Sequence, residues 1–141
     1  MLIITNRNIR KSNFNNGFGD HDAFGDEVNR KGPNEVRLAH AEKVDGAWQV
    51  RLVKEPSKIT DNNIPSKKVF SETRNRLIST GKNCVFFVHG FNQSFKKNLE
   101  KALAIENEHD VEVVAFSWPS NPGGSKTREY TEELKEMLKL L

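Results

Sequence analysis

Cys84-Val85-Phe86-Phe87-Val88 is the stretch with the least freedom in what it can become, and His89-Gly90-Phe91 follows it without a break. A short, continuous apolar run rich in Val and Phe reads as a strand buried on both faces, as in a parallel sheet covered by helices. A glycine turn at the carboxyl end of such a strand sets backbone N–H groups in the crevice where open α/β sheets bind ligands. Cys84 is the single cysteine. It forms no internal disulfide, and its place in the run makes it a small core residue rather than a reactive thiol.

The segments around this strand supply the rest of an α/β sheet. Leu2–Thr5 reads as a short N-terminal strand. Val36–Lys43 and Trp48–Lys54 both alternate apolar with polar residues, and Val44-Asp45-Gly46-Ala47 lies between them. Asp-Gly between two alternating runs signals an antiparallel hairpin, because a type I′ turn needs positive φ at both central residues. Glu55–Pro65 is a polar linker. Ser66 is placed to cap a helix running to about Thr80, with Val69, Phe70, Thr73, Leu77 and Ile78 on one face and Gly81 as its stop. A second helix over Ser94–Asn107 has Phe95, Leu99, Ala102 and Leu103 in helical register. Val111–Phe116 is another apolar strand, Ser117–Gly124 breaks the chain, and a third helix from about Ser125 gathers Tyr130, Leu134, Met137, Leu138 and Leu141. From Cys84 onward the order is βαβα, a right-handed parallel crossover with helices over the sheet. The expected class is therefore α/β with three-layer character.

Asn6 to Asn34 differs in kind. Asn, Asp, Gly and Pro punctuate it, and Phe14, Phe18 and Phe24 are its main apolar anchors. It reads as one long mobile loop, of a length that usually marks a lid or disorder. The whole of 1–141 fits one domain on the scale of about 100–200 residues per domain. Basic and acidic residues, 22 against 19, are interleaved along the chain, which describes a solvated surface and argues against nucleic-acid binding. No stretch resembles a signal peptide or approaches a membrane span, so the expected compartment is the cytoplasm.

Phe87–Asn92 (Phe-Val-His-Gly-Phe-Asn), Phe116–Ser120 (Phe-Ser-Trp-Pro-Ser) and the opening Ile4-Thr5-Asn6-Arg7 together resemble the N-terminal half of an α/β-hydrolase. They are most similar to an uncharacterised family allied with esterases and lipases. The resemblance is firm from about Asn83 to Gly124 and looser before it. It implies a partial α/β-hydrolase sheet, made of an N-terminal strand, an antiparallel hairpin and then the parallel βαβα unit. It also implies that the turn after the His-Gly strand gives one oxyanion-hole N–H, the other coming from the residue after the nucleophile. On this reading His89, Gly90, Phe91, Asn92 and Trp118 form the oxyanion loop and crevice. His89 orients the loop and is not the catalytic base. Trp118 either lines the crevice or packs the end of the sheet.

A serine hydrolase also needs G-x-S-x-G on a strained turn, then an acid and a histidine downstream. No G-x-S-x-G occurs in residues 1–141. The family pattern would place that elbow on a strand after the helix that ends near Leu141. Catalytic nucleophile, acid and base are thus expected to be absent from this chain, which is read as a truncated hydrolase half, inactive alone. Complete relatives would act on a small acyl or ester substrate. Ser94 reads as a helix cap and Ser117 as a strand end, while His21, His40 and His109 read as surface residues. Gly123–Thr127 departs from a phosphate loop, because Ser125 stands where a glycine is required. Asp20–Asp26 departs from a calcium loop at Phe24 and Lys31. No cofactor and no metal are expected, and a flavodoxin-like nucleotide site is disfavoured by the lack of a phosphate-cradling glycine pattern. The competing class is a non-catalytic interaction or oligomerisation module. By resemblance, strand 84–88 pairs with 111–116 on one side and lacks a partner on the other, which predicts self-association through strand 84–88.

Overall fold

The structure, a computed structural model, describes residues 1–10, 13–29, 36–54, 56, 58, 60 and 64–120. Its elements are β1 (Leu2–Thr5), β2 (Arg7–Ile9), β3 (Phe14–Asn15), β4 (Phe18–Gly19), β5 (Phe24–Val28), β6 (Arg37–Val44), β7 (Ala47–Leu52), α1 (Pro65–Thr80), β8 (Cys84–Val88), α2 (Phe95–His109) and β9 (Glu112–Ser117). Seven strands form one sheet in the order β3-β4-β7-β6-β1-β9-β8, and β2 and β5 form a separate antiparallel ribbon. The expected third helix from Ser125 and the glycine-rich Gly123–Thr127 lie outside the described residues.

The hairpin β6–β7 is antiparallel, and Asp45 (φ 50°) and Gly46 (φ 79°) take the two positive dihedrals that a type I′ turn needs. Beyond it the sheet turns parallel. β8 pairs with β9 from Cys84–Glu112 to Val88–Phe116, with α2 as the connection. β9 pairs in parallel with β1, which is antiparallel to β6 on its other side. The N-terminal strand is therefore central, joining the hairpin half of the sheet to the parallel half.

Alternation along these strands sends side chains to two faces. Ile3, Ala39, Ala41, Val50, Val113 and Ala115 are buried on one face in a cluster with Phe95, Leu99 and Ala102 of α2. Leu2, Leu38 and Val114 are buried on the other face with Val69 of α1. Helix, sheet and helix make three layers, as an α/β fold requires. The Ser94 hydroxyl accepts the Lys97 N–H at 3.2 Å, so the α2 cap is as expected. α1 differs. Its cap position is Ile64, with Pro65 opening the helix and no side-chain cap bond. Of its expected apolar face Val69 and Thr73 are buried, while Phe70 and Ile78 are exposed.

Two further expectations are corrected. β8 is not buried on both faces: Val85 and Phe87 pack towards α2, whereas Phe86 and Val88 on the α1 side are 60% and 51% exposed. Cys84 shares that open side, so it is not a core residue. Burial of its surroundings and the nearby Glu112 carboxylate raise its thiol pKa, which keeps it in the less nucleophilic protonated form.

The reading of 6–34 as one long loop also fails for the described part, which holds β2, β3, β4 and β5. Phe24 anchors it, edge-to-face against Phe14 at 5.7 Å and against Phe95 of α2 at 5.0 Å. Phe18 is an exposed exception. The Asn and Asp residues that suggested disorder satisfy the backbone instead: Asn8 Oδ1 accepts the Glu27 N–H and Asp20 Oδ1 accepts the Asp22 N–H.

Arg7 holds this segment to the sheet. It is fully buried. Its guanidinium donates to Ser117 Oγ (3.0 Å), the Gly25 carbonyl (3.0 Å), Asp26 Oδ1 (3.0 Å) and the Gln93 carbonyl (2.8 Å). Removing one partner of a buried charged network leaves the others desolvated and unpaired. Arg7→Ala is therefore expected to lower unfolding free energy by about 3–5 kcal/mol, and Arg7→Lys to recover less than half of that, because an ammonium cannot reproduce the planar fork. Urea unfolding of the three chains checks both.

Candidate functional site

Because β1, β9 and β8 run parallel, their carboxyl ends lie along one rim of the sheet. Thr5-Asn6-Arg7, Ser117-Trp118 and the turn 89–93 meet there, at the position where open α/β sheets form ligand crevices. β8 ends at Val88, and α2 begins at Phe95. The six residues between them form the turn.

His89 and Trp118 fasten this turn to β9. Their rings stack with centroids 5.4 Å apart and planes 5° from parallel. The Trp118 backbone N–H donates to His89 Nε2 at 3.1 Å, and the Trp118 indole N–H donates to the His89 carbonyl at 3.1 Å. His89 Nδ1 lies 2.7 Å from the Gly90 carbonyl. An amide N–H can only donate and a carbonyl can only accept. Nε2 must therefore be bare and Nδ1 must carry the proton, which is one tautomer of a neutral imidazole. Burial lowers the His89 pKa, more strongly than the Gly90 carbonyl raises it. With both ring nitrogens engaged, His89 is a positioning residue, and Trp118 both packs the end of the sheet and borders the turn.

Gly90 is exposed, and a Cβ built on it would meet no atom within 4 Å. Its φ lies outside the left-handed range. Neither packing nor backbone conformation requires glycine here, so what it offers is an open approach to the peptide. Phe91 and Asn92 follow, both half-buried, with Asn92 left-handed at φ 59°, a conformation that Asn tolerates. Gln93 closes the turn against Ser120, whose buried hydroxyl accepts the Gln93 N–H at 2.8 Å and donates to the Gln93 carbonyl at 3.1 Å.

The turn thus brings together His89, Gly90, Phe91, Asn92 and Trp118. It does not gather the other histidines. His40 is on β6, separated from β8 by β1 and β9. It is half-buried, and burial followed by the Arg51 charge lowers its pKa. His109 is at the far end of α2, about 20 Å from the turn at 1.5 Å per residue. Ser117 and Ser120 are buried and committed to Arg7 and Gln93. Asp26, the last residue of the Asp20–Asp26 run, pairs with Arg7 and Arg10. Among the described residues no group of three or more His, Cys, Asp or Glu is placed to hold a metal ion. No helix among them is long and apolar enough to cross a membrane. Arg7, Gln93 and Ser120 were not legible as site residues, since each acts through partners far away in sequence. The pairing of an N-terminal Thr-Asn-Arg with the Phe-Ser-Trp-Pro-Ser segment was their one signal.

A three-layer α/β fold with a His-Gly turn at the carboxyl ends of its parallel strands has the architecture of an α/β hydrolase. Residues 66–138, more than half of the chain, match the model of a family described as alpha/beta hydrolases of unknown function (DUF900), and the chain belongs to that family. No curated protein and no solved structure matches it.

The clamp is pH-sensitive, with a defined sign. The folded pKa of His89 lies below its ordinary value near 6.5, so between the two values the unfolded chain binds more protons. Its contribution to stability is complete above about pH 6.5 and is lost as pH falls through the folded value. A Trp48→Phe background leaves Trp118 as the reporter. Its fluorescence should change with a midpoint below pH 6.5, and His89→Phe should abolish that transition. Because His40 titrates in the same direction, His40→Gln serves as the control and should leave the Trp118 transition in place.

Proposed function

We propose that the turn after β8 supplies the oxyanion side of a serine-hydrolase site acting on an ester or related acyl bond. Attack on an acyl carbonyl pushes an electron pair onto its oxygen, and preorganised N–H donors stabilise that charge where it develops. Gly90 carries the reading: an exposed glycine at the carboxyl end of a parallel strand, with nothing packed where its side chain would be. In this role Gly90 and Phe91 give the backbone geometry, while His89 holds the turn and Asn92 ends it. Trp118 walls the crevice. The nucleophile, acid and base are not framed in residues 1–141, where no G-x-S-x-G occurs, so catalysis needs a strand and elbow supplied beyond them. An acyl or ester substrate is the expected small-molecule partner, with no cofactor, metal or nucleic acid.

The 141-residue chain by itself should neither turn over a short-chain p-nitrophenyl ester nor react with a fluorophosphonate probe. The reading frame extended past Leu141 is the decisive material. If it encodes G-x-S-x-G and hydrolyses the ester, Gly90→Val should lower kcat by about 10²-fold or more, the usual effect of losing one oxyanion donor, with an unchanged circular dichroism spectrum. Probe labelling of Ser94 in the short chain, or a Gly90→Val enzyme of full activity, overturns the proposal. The second reading, a non-catalytic interaction or oligomerisation module, is favoured by the open edge of β8 and would stand if no elbow follows.

A further inference from the structure

Directly opposed residues of neighbouring strands share a face. The registers Val114–Leu2, Leu2–His40, His40–Arg51 and Arg51–Phe18 run in one row across β9, β1, β6, β7 and β4. Leu2 and Val114 pack against Val69 of α1, so His40, Arg51 and Phe18 continue the row on the same face, past the cover of the helix. There the residues change in kind. Phe18 is 55% exposed, and Arg51 is exposed beside it. Along β6 and β7, His40, Glu42, Gln49 and Arg51 alternate with buried Ala39, Ala41, Trp48 and Val50. The alternation of these strands makes the face polar, whatever segments follow them.

The row borders a cleft of about 620 Å³, closed on its other sides by Arg76 of α1 and by the connection from α2 to β9. It lies at the amino-terminal ends of β1 and β9, away from the turn after β8. Small-molecule sites have volumes of roughly 300–1,000 Å³. Most charges in the cleft are committed to one another. Arg76 pairs with Glu112, Lys82 pairs with Asp110 at 2.7 Å, and Glu106 accepts the Val113 N–H at 2.9 Å. Arg51 differs: among the described residues no carboxylate pairs with it and nothing accepts from its guanidinium. His40 likewise has no hydrogen-bond partner among them. Burial, then the Arg51 charge, lowers its pKa, which leaves a neutral ring with one N–H to give.

We propose that this cleft binds a small molecule that joins a planar apolar group to an oxyanion. Arg51 holds the oxyanion through its planar fork, which suits a phosphate or carboxylate, and the His40 N–H adds a donor from the next strand. The plane rests on Phe18, the neighbour of Arg51 on its other side, whose ring is otherwise turned to water. Glu42, one row further along β6, repels an anion and keeps the oxyanion from sliding that way. A bare anion would leave Phe18 unused and an uncharged ring would leave Arg51 unused, whereas the joined molecule meets the whole row. The inference goes beyond the acyl-transfer reading and uses the opposite ends of the parallel strands.

The probe is 2-naphthyl phosphate, titrated by calorimetry. It should bind one-to-one and saturably, at least about tenfold more tightly than 2-naphthol or inorganic phosphate alone. Arg51→Gln should weaken it at least about tenfold, the scale of lost hydrogen bonds to a charged group. Tm should barely move, because the side chain is exposed. Phe18→Leu keeps bulk on β4 and removes the ring, and should weaken binding about threefold or more. Lys97→Gln, an equal loss of charge at an exposed position of α2, should leave binding unchanged. In NMR spectra the His40 ring resonances should shift on titration while those of His89 stay in place. No saturable binding at millimolar probe overturns the inference. So does inorganic phosphate binding as tightly as the naphthyl compound, indifference to Arg51→Gln or to Phe18→Leu, or a shift at His89 in place of His40. No readout involves ester hydrolysis, so failure of the catalytic proposal leaves the result unaffected.

Discussion

The buried guanidinium of Arg7 is the constraint on which the working end of this molecule depends. A charge taken wholly out of water is tolerated only if its donors are met, and Arg7 meets them across the fold: Ser117 at the end of β9, Gly25 and Asp26 in β5, and the Gln93 carbonyl in the turn after β8. Thr5 adds to the joint. Its hydroxyl donates to the Ser117 carbonyl at 2.7 Å and accepts the Arg7 N–H at 3.1 Å. A peptide corner of three residues thus fixes the spacing between the β2–β5 ribbon, the central strands and the candidate crevice. Only arginine suits that place, because five donors in a rigid plane reach several acceptors at once and stay charged at any pH the fold survives.

The turn is held from two sides by groups of opposite character. Arg7 grips Gln93 as a permanent cation, and His89 grips Trp118 as a neutral ring. Burial acts on both, but it can change the state of only one: the imidazole gives up its proton, while the guanidinium cannot. The turn therefore has a firm root at Gln93 and a conditional one at His89, with Gly90, the residue of open approach, next to the conditional root. Acidification would loosen the crevice near Gly90 first while leaving the start of α2 in place.

What the sequence disclosed and what it hid divide along the range of the interactions. The hairpin, α2 and the parallel pair β8–β9 were legible because Asp45-Gly46, the Ser94 cap and the apolar periodicities are local. His89, Gly90, Phe91 and Asn92 were legible as a contiguous motif, and the turn holds them together with Trp118. The segment after Asn6 was misread because two-residue strands such as Phe14–Asn15 and Phe18–Gly19 carry no periodicity. Its order comes from Phe24 against α2 and from Arg7, partners that lie far along the chain. The apolar run of β8 was read as doubly buried because composition reports what a strand tolerates, not which neighbours it has been given. An edge position leaves Phe86 and Val88 in the open while their sequence still looks like core.

That last point ties the two functional readings, catalytic site and assembly module, to one strand. β8 carries the turn at its carboxyl end and the unpaired edge along its length, so whatever pairs with the edge must run past Gly90. An antiparallel second copy would bring the amino-terminal approach of its own β8 beside that turn, and a parallel strand from elsewhere would bring a carboxyl end. Parallel strands deliver their carboxyl-terminal turns to the same rim of a sheet, which is why reactive groups gather there in α/β folds. An antiparallel neighbour contributes the opposite end and closes the crevice with backbone. The orientation of the strand beside β8 therefore separates a site that can be completed for chemistry from a module whose crevice is turned to assembly.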